Sequence, residues 1–167
     1  MLSANSVARR SRARGRQETN NGRPRFRIHR IGGNLPASER DRLVDLVNDE
    51  ALSVAYDGPA FDAGQFVKGE PLVLYADQVA WGRLDDLESF CIAYGLPFAR
   101  WSGRCSGSFG PARAVFTGSG DVRFFAADEE EEAVISRRIA KELGRYAAII
   151  AHFDAADFVV PPLRLIG

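Results

Sequence analysis

Residues 84–102, with the sequence LDDLESFCIAYGLPFARWS, decide how this chain is interpreted. Up to Tyr94 the apolar side chains lie three and four positions apart, which is the spacing of one face of an α-helix. Gly95 supplies a left-handed helix end, and Pro97 cannot continue the helix. The stretch therefore predicts a helix that runs almost directly into a strand over residues 97–102.

Elements on both sides of this stretch complete an α+β pattern. Upstream, residues 71–79 are apolar on both faces, which is typical of a central strand. Downstream, residues 112–117 and 122–126 predict a hairpin around the glycine-containing turn 118–121. From residue 71 the predicted order is strand, helix, strand, strand, strand, helix and strand. This order is close to a split β-α-β (ferredoxin-like) arrangement with extra elements.

The N-terminal part of the fold is predicted as a strand, a turn and a helix. Residues 23–31 alternate apolar and polar side chains with the period of two of a half-buried strand. Residues 32–34, Gly-Gly-Asn, are predicted to turn the chain. Ser38 and Asp41 resemble a capping arrangement before an apolar helical face, which predicts a helix over about residues 39–52.

The C-terminal part is predicted as a helix and a strand. Asp128 is expected to cap a helix whose first turn holds four glutamates, residues 129–132, because acidic side chains favour the positive end of the helix dipole. Gly144 ends this helix, and the apolar run 146–151 predicts a buried strand. The sequence thus predicts a single α+β domain over residues 23–167, with a mixed or mainly antiparallel sheet and about three helices.

Charge is distributed unevenly along the chain. Residues 1–30 hold nine arginines and one acidic residue, a formal charge of +8, whereas the remainder holds 13 basic and 21 acidic residues, a charge of −8. Residues 1–22 contain almost no apolar side chains, so burial cannot offset the entropy cost of ordering them. They are predicted to be a disordered arginine-rich arm, and the alternative of a dispensable leader stays open.

The arm suggests a contact with nucleic acid. Arginines on a mobile arm can contact phosphates without reading bases, which gives a modest, salt-sensitive affinity. The acidic domain opposes such binding, so the arm is expected to add only nonspecific attraction. The candidate contacts are Arg9, Arg10, Arg12, Arg14, Arg16, Arg23, Arg25 and Arg27.

A Gly/Ser-rich loop, residues 102–111 (SGRCSGSFGP), offers an alternative ligand site through Arg104, Cys105 and Ser106. Phosphate-binding loops of this composition open into a helix and often supply a lysine, whereas a strand follows here. A nucleophilic cysteine needs a base, and the histidines at positions 29 and 152 fall in different predicted strands. The loop is therefore interpreted as a connector.

Cysteine, histidine and hydropathy patterns predict neither a metal site nor a membrane segment. The two cysteines and two histidines are scattered singly, without the close pairs that chelate zinc, and Cys91 falls in the apolar helical pattern. No cofactor site is predicted. The apolar runs are too short to cross a bilayer, and no secretory signal is recognisable, so we expect a cytoplasmic protein.

The sequence favours binding over catalysis, because no complete catalytic constellation is present. The expected function is that of a non-enzymatic accessory interaction protein, with a protein partner and with nucleic-acid attraction through the arm. The alternative is a small enzyme or ligand-binding protein that uses the loop 102–111. The acidic surface suits a basic partner, and the apolar segment 159–166 leaves a homodimer open.

Overall fold

The computed structural model of the protein describes residues 26–76, 85–104 and 110–167. Seven strands lie in these ranges: β1 (Phe26–Ile31), β2 (Gly33–Pro36), β3 (Leu72–Leu74), β4 (Phe98–Ser102), β5 (Ala112–Phe116), β6 (Arg123–Ala126) and β7 (Leu163–Ile166). The described α-helices are α1 (Arg40–Asp49), α2 (Asp85–Ala93), α3 (Arg137–Leu143) and α4 (Tyr146–Ala156), with 3₁₀ turns at Ala37–Glu39 and Ala63–Gln65. Together they form a single α+β domain, as the sequence predicts.

Five strands form an antiparallel sheet in the order β3-β1-β4-β5-β6. Because β1 is antiparallel to both β3 and β4, those two strands run parallel with β1 between them, and α2 connects them. This is the split β-α-β arrangement predicted from the sequence. The likeness to a complete ferredoxin-like fold ends at the C-terminus, because β7 pairs in parallel with β2 in a separate two-stranded sheet.

One face of the five-stranded sheet carries the large core, and we call it the α2 face. It contains Phe98 and Phe116, whose rings lie 5.6 Å apart between centroids. The apolar sides of α1 and α2 pack against it, so the residues that give these helices their three-and-four spacing are buried. They are Leu43 and Val47 from α1, and Leu87, Phe90 and Cys91 from α2.

The opposite side of the sheet, which we call the α4 face, has a much smaller core. Ala99, Val115 and Phe125 from the sheet pack against Ala156 and Val160. Ala156 is the one residue of α4 that is fully buried. The sheet is therefore covered on both sides, but unequally.

Local signals around α2 and the hairpin are confirmed. Gly95 has a φ of +62°, and Leu96 N–H donates to Cys91 C=O, so the helix ends in the left-handed form predicted. Gly144 ends α3 in the same way with a φ of +74°. The strands β5 and β6 pair as the predicted hairpin.

The predicted turn at residues 32–34 is wrong, because Gly33 and Asn34 begin β2 and pair with Leu163 and Arg164. The partner strand comes from the far end of the chain, and the local sequence does not reveal it. Gly32 lies between β1 and β2, where the chain is close to Pro161. A Cβ there would come within 1.9 Å of Pro161 O, so no larger residue fits without moving the backbone.

The capping arrangement predicted at Ser38 and Asp41 is also wrong. The 3₁₀ turn Ala37–Glu39 leads into α1, and Glu39, the N-cap residue, makes no side-chain cap hydrogen bond. The helix ends at Asp49 rather than residue 52, because Ala51 has a left-handed φ of +53°.

Two further predictions fail in the C-terminal part. Residues 129–132 are not a helical turn: Asp128 Oδ1 accepts hydrogen bonds from the N–H groups of Glu130 and Glu132, which closes a tight turn. Helix α3 begins only after Ser136, whose hydroxyl accepts from Ile139 N–H. The run 146–151 is the start of α4 and not a strand.

Candidate functional site

The arginines predicted to contact nucleic acid fall almost entirely outside the described residues. Residues 9–25 precede the first described position, and Arg27 lies in β1, where its side chain is not described. Arg30 is the described arginine of this basic region, and its Nη1 lies 3.8 Å from Glu131 Oε2. The structure thus leaves the arm's contacts as a prediction.

The alternative loop site is described at residues 102–104 and 110–111 and not between them. Arg104 follows β4 with 69% of its side chain exposed, and its Nε lies 3.9 Å from Glu129 Oε1. Cys105 and Ser106 lie outside the described residues. The histidine at position 152 is in α4 rather than in a strand, and its ring contacts Phe125 at 5.0 Å between centroids.

A buried polar cluster that sequence reasoning missed lies on the α2 face: His29, Glu88 and Arg100. Antiparallel pairing places His29 opposite Arg100 in neighbouring strands, and α2 places Glu88 next to both. Both strand residues are almost fully buried, at 2% and 4% exposure. The Arg100 guanidinium donates from Nε to Glu88 Oε1. The nearest ring nitrogen, His29 Nε2, is 3.8 Å from the same oxygen, too far for a hydrogen bond.

The protonation states in this cluster follow from burial and charge. Burial lowers the pKa of His29, so the imidazole is neutral at physiological pH. Burial opposes ionisation of Glu88, but the Arg100 guanidinium beside it holds its pKa below the usual value, so it is a carboxylate. Burial and then the Glu88 charge raise the pKa of Cys91, so its thiol stays protonated. The cluster contains a neutral imidazole, an ion pair and an inert thiol.

Such a cluster fits a structural role better than a catalytic one. The His29 ring stacks on Phe98 at 5.2 Å between centroids, within the core. Its two nitrogens find no hydrogen-bond partner in the described part of the chain. The Glu88–Arg100 ion pair joins α2 to β4, and loss of either partner would leave an uncompensated buried charge.

A second feature is the surface of the consecutive helices α3 and α4, which are joined by residues 144–145 and in contact; we call it the hairpin surface. Tyr146 and Ile150, one helical turn apart on α4, are 77% and 39% exposed. Helix α3 contains no fully buried residue. Four exposed cationic side chains border these residues in sequence: Arg137, Arg138, Lys141 and Arg145. Exposed acidic residues lie in the same segment at Glu142, Asp154 and Asp157, so the hairpin surface is apolar with a mixed border in which basic residues outnumber acidic ones.

Two clefts are present among the described residues. One, of about 320 Å³, lies beside the end of α1 and includes Tyr56 and Tyr75. Asn48 supports it by donating from its amide to Phe61 C=O and accepting from Phe61 N–H. The other cleft, of about 640 Å³, is a more apolar groove beside β7.

In the ranges that the structure describes, no three histidine, cysteine, aspartate or glutamate side chains converge as a cation site requires. None of the described helices has the length and hydropathy to cross a bilayer.

Comparison with protein-family models, with curated proteins and with solved structures finds no match to this chain. The function is consequently inferred from the residues and their geometry.

Proposed function

We propose that this protein is a non-enzymatic interaction module that binds a partner protein through the hairpin surface. The observation that carries the proposal is the exposure of α4. Its sequence, YAAIIAHFDAA, is almost entirely apolar, yet Ala156 alone is fully buried. A helix that is apolar on most sides is normally covered on most sides, because exposing it to water is unfavourable. A partner surface would supply the missing cover.

The chemistry of the expected partner follows from the basic residues on the border of the hairpin surface. Arg138 is neutralised within α3, since its Nη1 lies 2.6 Å from Glu142 Oε1. Arg137, Lys141 and Arg145 form no ion pair within the described ranges. The hairpin surface therefore suits a partner with an apolar patch and an acidic rim, because complementary charges speed association and exclude wrong partners.

We also propose that the N-terminal arm adds nonspecific attraction to nucleic acid. The support is its charge, nine arginines against one acidic residue in residues 1–30. Contacts of this kind release counterions from the phosphate backbone, so they weaken steeply as salt increases.

The protein-binding proposal is tested with Ile150→Asp. A charge at this position opposes burial against an apolar partner but disturbs little inside the fold, because the side chain is already 39% exposed. A protein captured by the wild type should be lost with Ile150→Asp and kept with Ser119→Asp, a matched control in the β5–β6 turn. The purified partner should bind in calorimetry with an affinity that falls as salt increases. Equal capture by both variants would exclude the hairpin surface.

The arm is tested separately by filter binding. The full chain and a chain lacking residues 1–22 are compared on DNA and RNA at about 50 mM and about 200 mM salt. We expect binding by the full chain at low salt, with most of it lost at high salt and in the truncated chain. If neither chain binds at low salt, the nucleic-acid part of the proposal fails while the hairpin surface stands.

A further inference from the structure

The groove beside β7 follows the edge of that strand. It is lined by Phe66, Val67, Lys68 and Gly69 on one side and by Leu163, Arg164 and Leu165 on the other. Consecutive strand residues point to opposite faces of a sheet. A groove lined by three consecutive residues therefore lies along the strand edge, where the backbone polar groups project.

Backbone groups on this edge are available for pairing. Gly33 N–H donates to Pro162 C=O, so that carbonyl faces β2. Leu163 N–H donates to Glu70 C=O in the opposite direction, away from β2. Because the polar groups of a strand alternate sides, the N–H and C=O of Leu165 face the groove as well. Nothing in the described chain extends the ladder beyond Glu70 to meet them.

The walls of the groove combine apolar and cationic side chains. Val67 is 58% exposed and Leu165 is 43% exposed. Lys68 and Arg164 lie on opposite sides of the groove, and neither has an ion-pair partner among the residues described. Glu70 is at the end of the groove where its C=O accepts the hydrogen bond from Leu163 N–H. The groove is therefore locally cationic in a part of the chain, residues 31–167, whose formal charge is −8.

We propose that this groove binds an extended acidic segment of a partner protein, which adds to β7 as a further strand. The backbone of Leu165 would supply main-chain hydrogen bonds, and Val67 and Leu165 would receive an apolar side chain. Acidic side chains beside it would meet Lys68 and Arg164. A second copy of this chain is a poorer occupant, because twofold pairing of β7 would bring like charges together.

This site is independent of the hairpin surface, so the two proposals can fail separately. The probe is the fluorescein-labelled hexapeptide Asp-Val-Asp-Val-Asp-Val, capped at both ends, and its lysine counterpart Lys-Val-Lys-Val-Lys-Val is the charge control. Anisotropy with the full chain should show binding of the acidic peptide only. Ile150→Asp should leave this binding unchanged.

Charge reversal tests the cationic walls. Lys68→Glu combined with Arg164→Glu should weaken binding of the acidic peptide by about tenfold and should create binding of the lysine peptide. Lys141→Glu, a reversal of the same kind on α3, should change neither. Circular dichroism confirms that each variant is folded. Binding that follows net charge regardless of position would overturn the proposal.

Proline substitution tests the strand edge. Leu165→Pro removes an N–H that the fold itself does not use, and proline is tolerated on edge strands. The Leu165→Pro variant should bind the acidic peptide about tenfold more weakly than the wild type, whereas the Leu165→Val variant should bind it with normal affinity. A peptide N-methylated on alternate residues should also fail to bind. The proposal is overturned if the wild type binds neither peptide, or if sedimentation shows a dimer that Leu165→Pro dissociates, since the occupant is then a second copy.

Discussion

The two faces of the five-stranded sheet differ in how completely they are covered. Among the described residues, sixteen buried ones form a cluster on the α2 face that joins the sheet to α1 and α2. The corresponding cluster on the α4 face holds five buried residues in the part of the chain that the structure describes. The same strands supply both faces, so the difference lies in the helices. Stability should accordingly reside on the α2 face, while the α4 face has apolar surface left for a partner.

The largest effect that would test this contrast comes from matched phenylalanine truncations. Phe98 and Phe125 are almost equally buried, at 0% and 4% exposure, on opposite faces. Phe98→Ala should lower the free energy of unfolding by about 4 kcal/mol, because close neighbours cannot fill the cavity. Phe125→Ala should lower the free energy of unfolding by only about 2 kcal/mol, because the partly exposed α4 can move toward the sheet and fill part of the cavity. Equal losses in urea unfolding would contradict the contrast between the faces.

The buried ion pair should give the next largest effect. Glu88→Leu removes the carboxylate that neutralises Arg100, and we expect a loss of about 3 kcal/mol in the free energy of unfolding. Adding Arg100→Met should recover most of this loss, because no buried charge is then left. A double-mutant cycle by denaturant unfolding measures the coupling. A double variant as unstable as the single one would show that the pair does not act as a unit.

A smaller effect concerns pH. His29 is neutral in the fold because burial lowers its pKa, whereas in the unfolded chain it takes up a proton as the pH falls below 6.5. Below that pH the unfolded chain binds a proton that the folded protein does not, so unfolding is increasingly favoured. The free energy of unfolding therefore decreases as the pH falls and not as it rises. Urea unfolding at about pH 7.5 and about pH 5.5 should show this loss. His29→Phe, which keeps a ring against Phe98, should reduce it; an unchanged pH dependence would assign the effect to other groups.

The smallest effect on stability should come from the hairpin surface. Ile150→Asp should change the free energy of unfolding by no more than about 0.5 kcal/mol, because the side chain is already in contact with water. The same change should abolish partner binding. A loss of several kcal/mol would mean that α4 is packed more tightly than its exposure indicates.

Sequence patterns were sufficient where a signal is local. The spacing in α2 and the glycine after it predict a helix and its end, and both are observed. The run AAIIA in α4 lacks a period, so burial as a strand and exposure as a helix look alike in the sequence. Glu131 adopts a left-handed φ of +71°, which a run of glutamates does not indicate.

Tertiary contacts explain the remaining differences. His29 and Arg100 are neighbours because β1 and β4 pair, and the sequence around each residue does not indicate that its side chain is buried. Similarly, β2 exists because a distant strand pairs with it. The groove beside β7 depends on the same pairing, so the sequence pointed to an apolar C-terminal segment without showing its free edge.

The pairing of Gly33 with Leu163 also constrains how the protein matures. β2 precedes β3 to β6 in the chain, but its partner strand β7 is translated after all of these described strands. Until then the β2 edge stays open, and closing so long a loop is entropically costly. We expect the five-stranded sheet to assemble during synthesis, and the small parallel sheet to close as a late step that ties the two ends of the fold together.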